Sequence, residues 1–312
     1  MPFADGLAAL PARNVLARYS HVTLAFANPD AGGNFVINGA MACAPGPRGA
    51  TTGLAALRDA VARVHRAKAK ALISVAGGVI PGCAGDWTVL LQPRSRDAIV
   101  AGIVALADEA GVDGVDVDLE GALLTSLDQA GGYTPFVAAL AAALKRQGKL
   151  LTCATASYEG GMVPVTALRW FDYVSVMSYD AVGPGWGRPG DEHAPYDKAV
   201  ADVKLWRDRG VPRRRLVLGL PYYGYGYGGY AATYAYRDIL ATFGAQAAAD
   251  VVGTRCAGCG YITQNGPATL ARKAALAREQ AAGVMVWEIT QDTEDGQLGL
   301  AVSTALASRR GD

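Results

Sequence analysis

Val112-Asp113-Gly114-Val115-Asp116-Val117-Asp118-Leu119-Glu120 alternates apolar and acidic residues with the period of two that belongs to a β-strand. Asp116, Asp118 and Glu120 share parity, so three carboxyl groups point one way while Val115, Val117 and Leu119 point the other. Three carboxylates this close cannot all ionise cheaply, and at least one should hold a proton near neutral pH. Glu120 comes last, nearest the open end of the strand, and is the natural proton donor. Carboxyls driven to different protonation states are what acid–base catalysis requires. A calcium loop would instead need flexible polar residues and backbone carbonyls between the acids, where this stretch has Val and Leu.

On either side the same unit recurs. Apolar runs rich in Val, Ile and Leu lie at His21–Ala27, Lys70–Ala76, Leu150–Ala156, Tyr173–Met177, Leu216–Leu220 and Val284–Glu288. Helical stretches lie between or after them at Leu54–Ala69, Arg94–Ala110, Pro135–Gln147, Tyr196–Arg209, Thr269–Ala282 and Leu298–Ser308. Strand followed by helix means parallel βαβ units, and strands apolar on both faces mean a sheet covered on both sides. A doubly wound nucleotide fold would show G-x-G-x-x-G or G-x-x-x-x-G-K-[ST] after an early strand, and neither occurs there. Polar and aromatic residues instead close many different strands: Ser74 with Gly77-Gly78, Asp118 with Glu120, Met177-Ser178-Tyr179-Asp180, Pro221-Tyr222-Tyr223 and Trp287-Glu288. That distribution selects an α/β fold of the (β/α)8 TIM-barrel type. No linker divides the chain, so residues 1–312 are expected to form a single catalytic barrel domain.

Composition narrows the function. Of 312 residues, 51% are hydrophobic and 18% charged, which excludes a disordered chain, and 29 basic against 28 acidic residues leave a net charge of +1. So neutral a chain lacks the basic field needed to hold nucleic acid or an anionic membrane. No stretch reads as a membrane span, and the first residues have no signal-peptide pattern. The five cysteines are too few for a disulfide scaffold. Cys256 and Cys259 lack the second pair that a zinc site needs, so a local disulfide or two plain thiols is expected there. Cys43–Cys83 is a second bridge if the protein is exported. No metal or other cofactor is implied.

Taken together, these residues resemble glycoside hydrolase family 18, the chitinases and endo-β-N-acetylglucosaminidases. The run DGVDVDLE (residues 113–120) is similar to the family's active-site signature. Further resemblances, in the family's order along the chain, lie at Ala25-Phe26-Ala27, Ser74-Val75-Ala76-Gly77-Gly78, Met177-Ser178-Tyr179-Asp180, Gly219-Leu220-Pro221-Tyr222-Tyr223-Gly224 and Val284-Met285-Val286-Trp287-Glu288, over residues 15–306. The resemblance implies a retaining, substrate-assisted mechanism, outside the usual two-carboxylate schemes. Glu120 would protonate the glycosidic oxygen, and the substrate's own acetamido carbonyl would attack the anomeric carbon. Asp118 would hold the acetamido N–H with Asp116 behind it, Tyr179 would donate to the acetamido oxygen, and Asp180 would bind the same sugar. Trp287 would floor the sugar subsite, with Met177, Tyr222 and Tyr223 also at the substrate. The tyrosines from Tyr222 to Tyr236 suggest an aromatic loop along a glycan groove, with Trp186 and Trp87 as weaker rim candidates.

Departures from the family pattern are also legible. Leu119 stands where an aromatic is common, Gly121 where a Tyr-Pro would begin, and Tyr225 where an Arg is usual. About sixty residues between the last two strands leave no room for a large α+β insertion domain, so a shallow, open groove and endo cleavage are expected. The first barrel strand should precede His21 by about twenty residues, where Met1-Pro2-Phe3-Ala4 supplies only its end, so that strand is expected to be truncated. The expected partner is a polymer or oligosaccharide of β-1,4-linked N-acetylglucosamine, most simply chitin, acted on by a secreted monomer. N-glycans or peptidoglycan are the alternative substrates, and a non-catalytic chitin-binding lectin is the alternative function.

Overall fold

The structure, a computed structural model, describes residues 1–3 and 6–308. It divides into two compact units, Met1–Val174 and Ser175–Asp312.

The first unit holds strands β1 (His21–Ala27), β2 (Val36–Ile37), β3 (Ala40–Pro45), β4 (Thr51–Gly53), β5 (Lys70–Ala76), β6 (Gly114–Asp118) and β7 (Leu150–Thr155). The division falls within β8 (Tyr173–Val176). Strands β1, β5, β6 and β7 run parallel in that order. Its helices are α1 (Arg13–Leu16), α2 (Leu54–Arg66), α3 (Trp87–Leu90), α4 (Pro93–Ala110), α5 (Gly121–Gln129) and α6 (Tyr133–Arg146). Each long helix forms for a local reason. In α2, Leu54, Leu57, Val61 and Val64 recur every three or four residues and are all buried. Helix α4 starts on Pro93 and stops at Gly111, whose φ of 73° takes the left-handed position that a terminating glycine occupies without strain. The strand alternation also holds: β6 is buried along its whole length, as a strand covered on both faces must be.

Ahead of His21, the first residues pair with β1. Pro2 forms a parallel bridge with Ala25, the Ala25 amide donates to the Met1 carbonyl at 2.9 Å, and the Met1 ammonium donates to the Thr23 carbonyl at 2.8 Å. Residues 1–3 thus lie along β1, while Ala4 lies outside the described residues. Trp87, a rim candidate from sequence, is instead a core residue. Its indole is 1% exposed, packs edge-on to Phe35 and Phe136, and donates to Asn28 Oδ1 at 2.9 Å. Asn28 in turn donates to the Ala76 carbonyl at 2.8 Å, so the buried indole N–H closes a satisfied polar chain.

The second unit holds β9 (Leu216–Pro221), β10 (Tyr223–Tyr227), β11 (Thr233–Ala235), β12 (Val251–Gly253), β13 (Tyr261–Thr263) and β14 (Gly283–Trp287). Its helices are α7 (Tyr196–Asp208), α8 (Tyr236–Phe243), α9 (Pro267–Gln280) and α10 (Gln297–Ala307). Strands β9 and β14 pair in parallel. Between them the chain makes a four-stranded antiparallel sheet, in the order β11-β10-β13-β12, with α8 beside it. The sequence showed helix and turn signals there but not these four short strands. Strand β10 reads Tyr-Gly-Tyr-Gly-Tyr because its two faces differ. A side chain at Gly224 would meet the Thr263 carbonyl at 2.5 Å, and one at Gly226 the Ala231 carbonyl at 2.1 Å. Backbone packs against the glycine face, and the tyrosines take the other.

Cys43 on β3 is bonded to Cys83, 40 residues later, and Cys256 to Cys259; Cys153 is buried and free. The first bridge closes a loop of 40 residues, and chain-entropy arguments give such a closure about 4 kcal/mol. The double variant Cys43→Ser, Cys83→Ser should therefore unfold at lower denaturant concentration by about that free energy, with an unchanged far-UV spectrum in buffer.

Candidate active site

Register across the parallel sheet builds the first half of the site. Ser74, Asp116 and Thr152 are partners at one level of β5, β6 and β7. Ser74 Oγ donates to Asp116 Oδ2 at 2.8 Å, and Thr152 Oγ1 donates to Oδ1 at 2.5 Å. Burial nevertheless raises the Asp116 pKa, and the two hydroxyl bonds only offset part of that. One pleat further along the strand, Asp118 is 6% exposed and its Oδ1 has no protein hydrogen-bond partner. Its pKa stands well above the ordinary Asp range, first through burial, then through the charge of Glu120, then that of Asp116. A hydrogen bond with the Glu120 carboxyl pushes in the same direction. Leu119, of opposite parity, is 1% exposed.

Glu120 follows the strand in extended conformation and precedes the first turn of α5, half-buried. A carboxylate at a helix N-terminus is favoured by the unpaired amides and dipole there. The glycines after β5 make its space: a side chain at Gly78 would lie 2.8 Å from Glu120 Oε1. Ala76 and Gly77, with φ of 77° and 101°, turn the chain to bring Gly78 there. Tyr158 sits nearby, 58% exposed, with its ring against Gly161. Burial and the Glu120 charge raise its pKa. Sequence reasoning missed Tyr158, since nothing local marks an aromatic in the loop after β7.

The second unit carries the sugar-facing candidates of the later strands. Asp180 adopts φ 58°, and Tyr223 OH donates to its Oδ1 at 2.6 Å. Burial, then the Asp180 charge, raises the Tyr223 pKa well above its usual range, so the phenol stays a donor. Trp186 donates its indole N–H to the Asp180 carbonyl at 3.0 Å and stays 46% exposed, as a rim residue would. A cavity of about 290 Å³ is lined by Asp180, Tyr223, Tyr225, Tyr234, Trp287 and Gln291, among others. Tyr179 meets Tyr223 edge-on at 6.1 Å, and the half-buried Met177 and Trp287 pack against this tyrosine cluster.

Tyr222 does not belong to that lining. It is fully buried, because it alternates with Tyr223 and so turns to the core while Tyr223 turns to the cavity. The expected aromatic loop is likewise divided. Tyr223, Tyr225 and Tyr234 line the cavity, Tyr227 stacks on Tyr261 at 4.7 Å, Tyr230 packs on Phe243, and Tyr236 is core. His193 also escaped sequence reasoning. It is fully buried, 3.6 Å from Asp180 Oδ1, and its ring meets those of Tyr223 and Tyr225. Among the described residues no group of three His, Cys, Asp or Glu side chains is arranged to hold a metal ion, and no helix is long and apolar enough to cross a membrane.

A buried Asp hydrogen-bonded to a half-buried Glu at the end of a parallel strand can pass one proton out and take one back. Residues 5–292 match the profile of the glycosyl hydrolases family 18. The chain belongs to this family. The family 18 chitinase ChiB from the chitin utilization locus of Flavobacterium johnsoniae is 29% identical, with a TM-score of 0.76 over 93% of this chain and 87% of that one. A chitinase from Bacteroides thetaiotaomicron is 25% identical, with a TM-score of 0.77 over 100% of this chain and 96% of that one. These likenesses give the family 18 chain an α/β fold of the (β/α)8 TIM-barrel type. The class V chitinase of Arabidopsis thaliana is 31% identical over 172 residues, covering 50% of this chain and 45% of the relative. The chain spans about half or less of the length of the first curated relatives it matches.

The Asp118 environment makes a testable statement about stability. Between the ordinary Asp range and its raised native value, the folded state keeps a proton that the unfolded chain releases, so stability falls as pH rises. Asp118→Asn carries no such loss. It should be more stable than the parent at pH 7.5 by roughly 1 kcal/mol or more, with the gap closing near pH 4. Urea unfolding at the two pH values checks this, and a variant less stable at pH 7.5 would contradict it.

Proposed function

We propose that the chain is a retaining, substrate-assisted glycosidase that cleaves β-1,4 linkages in N-acetylglucosamine glycans, with chitin as the first substrate. The observation that carries this is the buried Asp118, hydrogen-bonded to the half-buried Glu120, with Asp116 held behind it by Ser74 and Thr152. Support for the substrate comes from the chitinases among its relatives.

In the proposed reaction the Glu120 proton passes to the glycosidic oxygen as the bond to the anomeric carbon breaks. The acetamido carbonyl oxygen of the same sugar attacks that carbon and closes an oxazolinium ring. Asp118 accepts the acetamido N–H, which orients the group and spreads the positive charge, with Asp116 sharing charge behind it. Tyr179 donates its hydroxyl to the acetamido oxygen, and Asp180 holds sugar hydroxyls. A water molecule then gives a proton to Glu120 and bonds its oxygen to the anomeric carbon, on the face the leaving group left, as the ring's bond from that carbon to the acetamido oxygen breaks and the acetamido group is restored. Met177, Trp287 and Tyr223 complete the sugar site, with the Trp287 ring against the sugar's axial C–H groups.

The two units act as one catalytic domain in this proposal, cutting within chains, and the protein works as a secreted monomer. Two disulfides support an oxidising compartment.

The test is hydrolysis of N-acetylglucosamine tetramer and hexamer, wild type beside Glu120→Gln. The wild type should release product that is initially the β-anomer by proton NMR, and the variant should lose about 10³-fold in kcat while still binding oligomer. An initially α product would overturn retention. A wild type that binds oligomers without cleaving them would replace the enzyme with a lectin.

A further inference from the structure

Lys273 is the largest charged side chain among the described residues with no exposed surface, and the proposed chemistry does not use it. A lysine ammonium is expensive to bury and is retained only where hydrogen bonds compensate. Its Nζ donates to the Ala194 carbonyl at 2.7 Å and to Asn265 Oδ1 at 2.7 Å. Asn265 Nδ2 also donates to the Ala194 carbonyl, at 2.8 Å. Helix α9 and the segment just ahead of it therefore grip one backbone carbonyl from two directions.

That carbonyl sits at a junction. The neighbouring His193 donates its amide to Thr263 Oγ1 at 3.0 Å, and its carbonyl accepts the Ala181 amide at 2.8 Å. Ala181 is the residue directly after Asp180. The His193 ring lies 3.6 Å from Asp180 Oδ1 and 5.3 Å from the Tyr223 ring, and Tyr223 OH donates to that same Asp180 oxygen. Ala194 itself packs in the cluster of Tyr179, Tyr223 and Tyr225.

We propose that Lys273 is a positioning residue: by pinning His193–Ala194, it holds Asp180 and Tyr223 in the geometry that meets the sugar. Burial pushes the Lys273 pKa down to about 7, with Asp250, Asp202 and Glu192 acting against that shift and Lys198 with it. A neutral amine still offers two N–H donors, so both bonds to Ala194 and Asn265 persist on either side of that value. A lysine that only filled space would behave differently on replacement, because an apolar isostere at a buried charge is commonly neutral or stabilising.

The sugar-binding part of this proposal rests on the glycosidase assignment, whereas the positioning of residues 180–194 does not. The experiment uses the full chain as wild type, Lys273→Met and Asn265→Ala. In hydrogen exchange, amides of residues 180–194 should exchange about tenfold faster in Lys273→Met, with β6 and β9 unchanged. On N-acetylglucosamine tetramer, KM should rise about tenfold while kcat stays within about twofold and the acidic limb of the kcat profile stays in place. If Lys273→Met does not fold, Asn265→Ala, which keeps the lysine bond to Ala194, should show the same pattern at smaller size. Unchanged exchange in residues 180–194 of a folded variant overturns the proposal, as does a rise spread equally over β9. If the wild type neither binds nor cleaves the tetramer, the glycosidase assignment fails, and the exchange result alone still decides the positioning role.

Discussion

Three carboxyl groups on one face of a five-residue strand and its first following residues repel one another and resist desolvation, and the architecture of the first unit answers that problem. Asp116 is met at its own sheet level by hydroxyls from both neighbouring strands, which is possible only because parallel register brings Ser74 and Thr152 level with it. Asp118 receives no such relief at Oδ1, and burial together with the Glu120 and Asp116 charges raises its pKa well above the ordinary Asp range. The carboxyls thus differ along the strand, from Asp116 bonded to fixed hydroxyls to the half-buried Glu120 at the helix start. Protonation state here is set by position along a strand rather than by residue type.

Space is the second constraint. Glu120 needs room that Gly78 leaves, and the left-handed turn through Ala76 and Gly77 delivers Gly78 to the right place. In the second unit the same logic works at strand β10. Backbone presses on the glycine face, so the tyrosines line up on the other, where Tyr223 and Tyr225 reach the cavity and Tyr227 stacks on Tyr261. Close packing of backbone against glycine is thus what concentrates aromatic surface at a candidate sugar site.

Much was legible in the chain before any tertiary contact was known. The βαβ alternation and the parity of Asp116, Asp118 and Glu120 follow from local periodicity, which a linear sequence records in full, and the ordered motifs up to Trp287 from their resemblance to the family. The core strands and all the long helices fall within a few residues of their expected bounds. What escaped were positions whose role depends on distant partners. Trp87 looks like a rim aromatic until Asn28, Phe35 and Phe136 surround it. Tyr222 and Tyr223 are indistinguishable as letters, and only the pairing of β10 sends one to the core and one to the cavity. The four short strands between β9 and β14 were invisible because strands of three to five residues carry too little periodicity to register.

The sequence by itself determined the α/β class and the acidic strand, because both are written in spacings of two to four residues, and it pointed to the family through an ordered set of motifs that resemble it. The tertiary structure alone decided which tyrosines face the cavity, that His193 stands behind Asp180, and that Lys273 is buried beneath them. Those assignments depend on contacts between residues tens of positions apart, such as Lys273 with Ala194. Local periodicity says which side of an element is apolar, but it does not say which distant element comes to cover that side, and burial, charge state and reach all follow from that second fact.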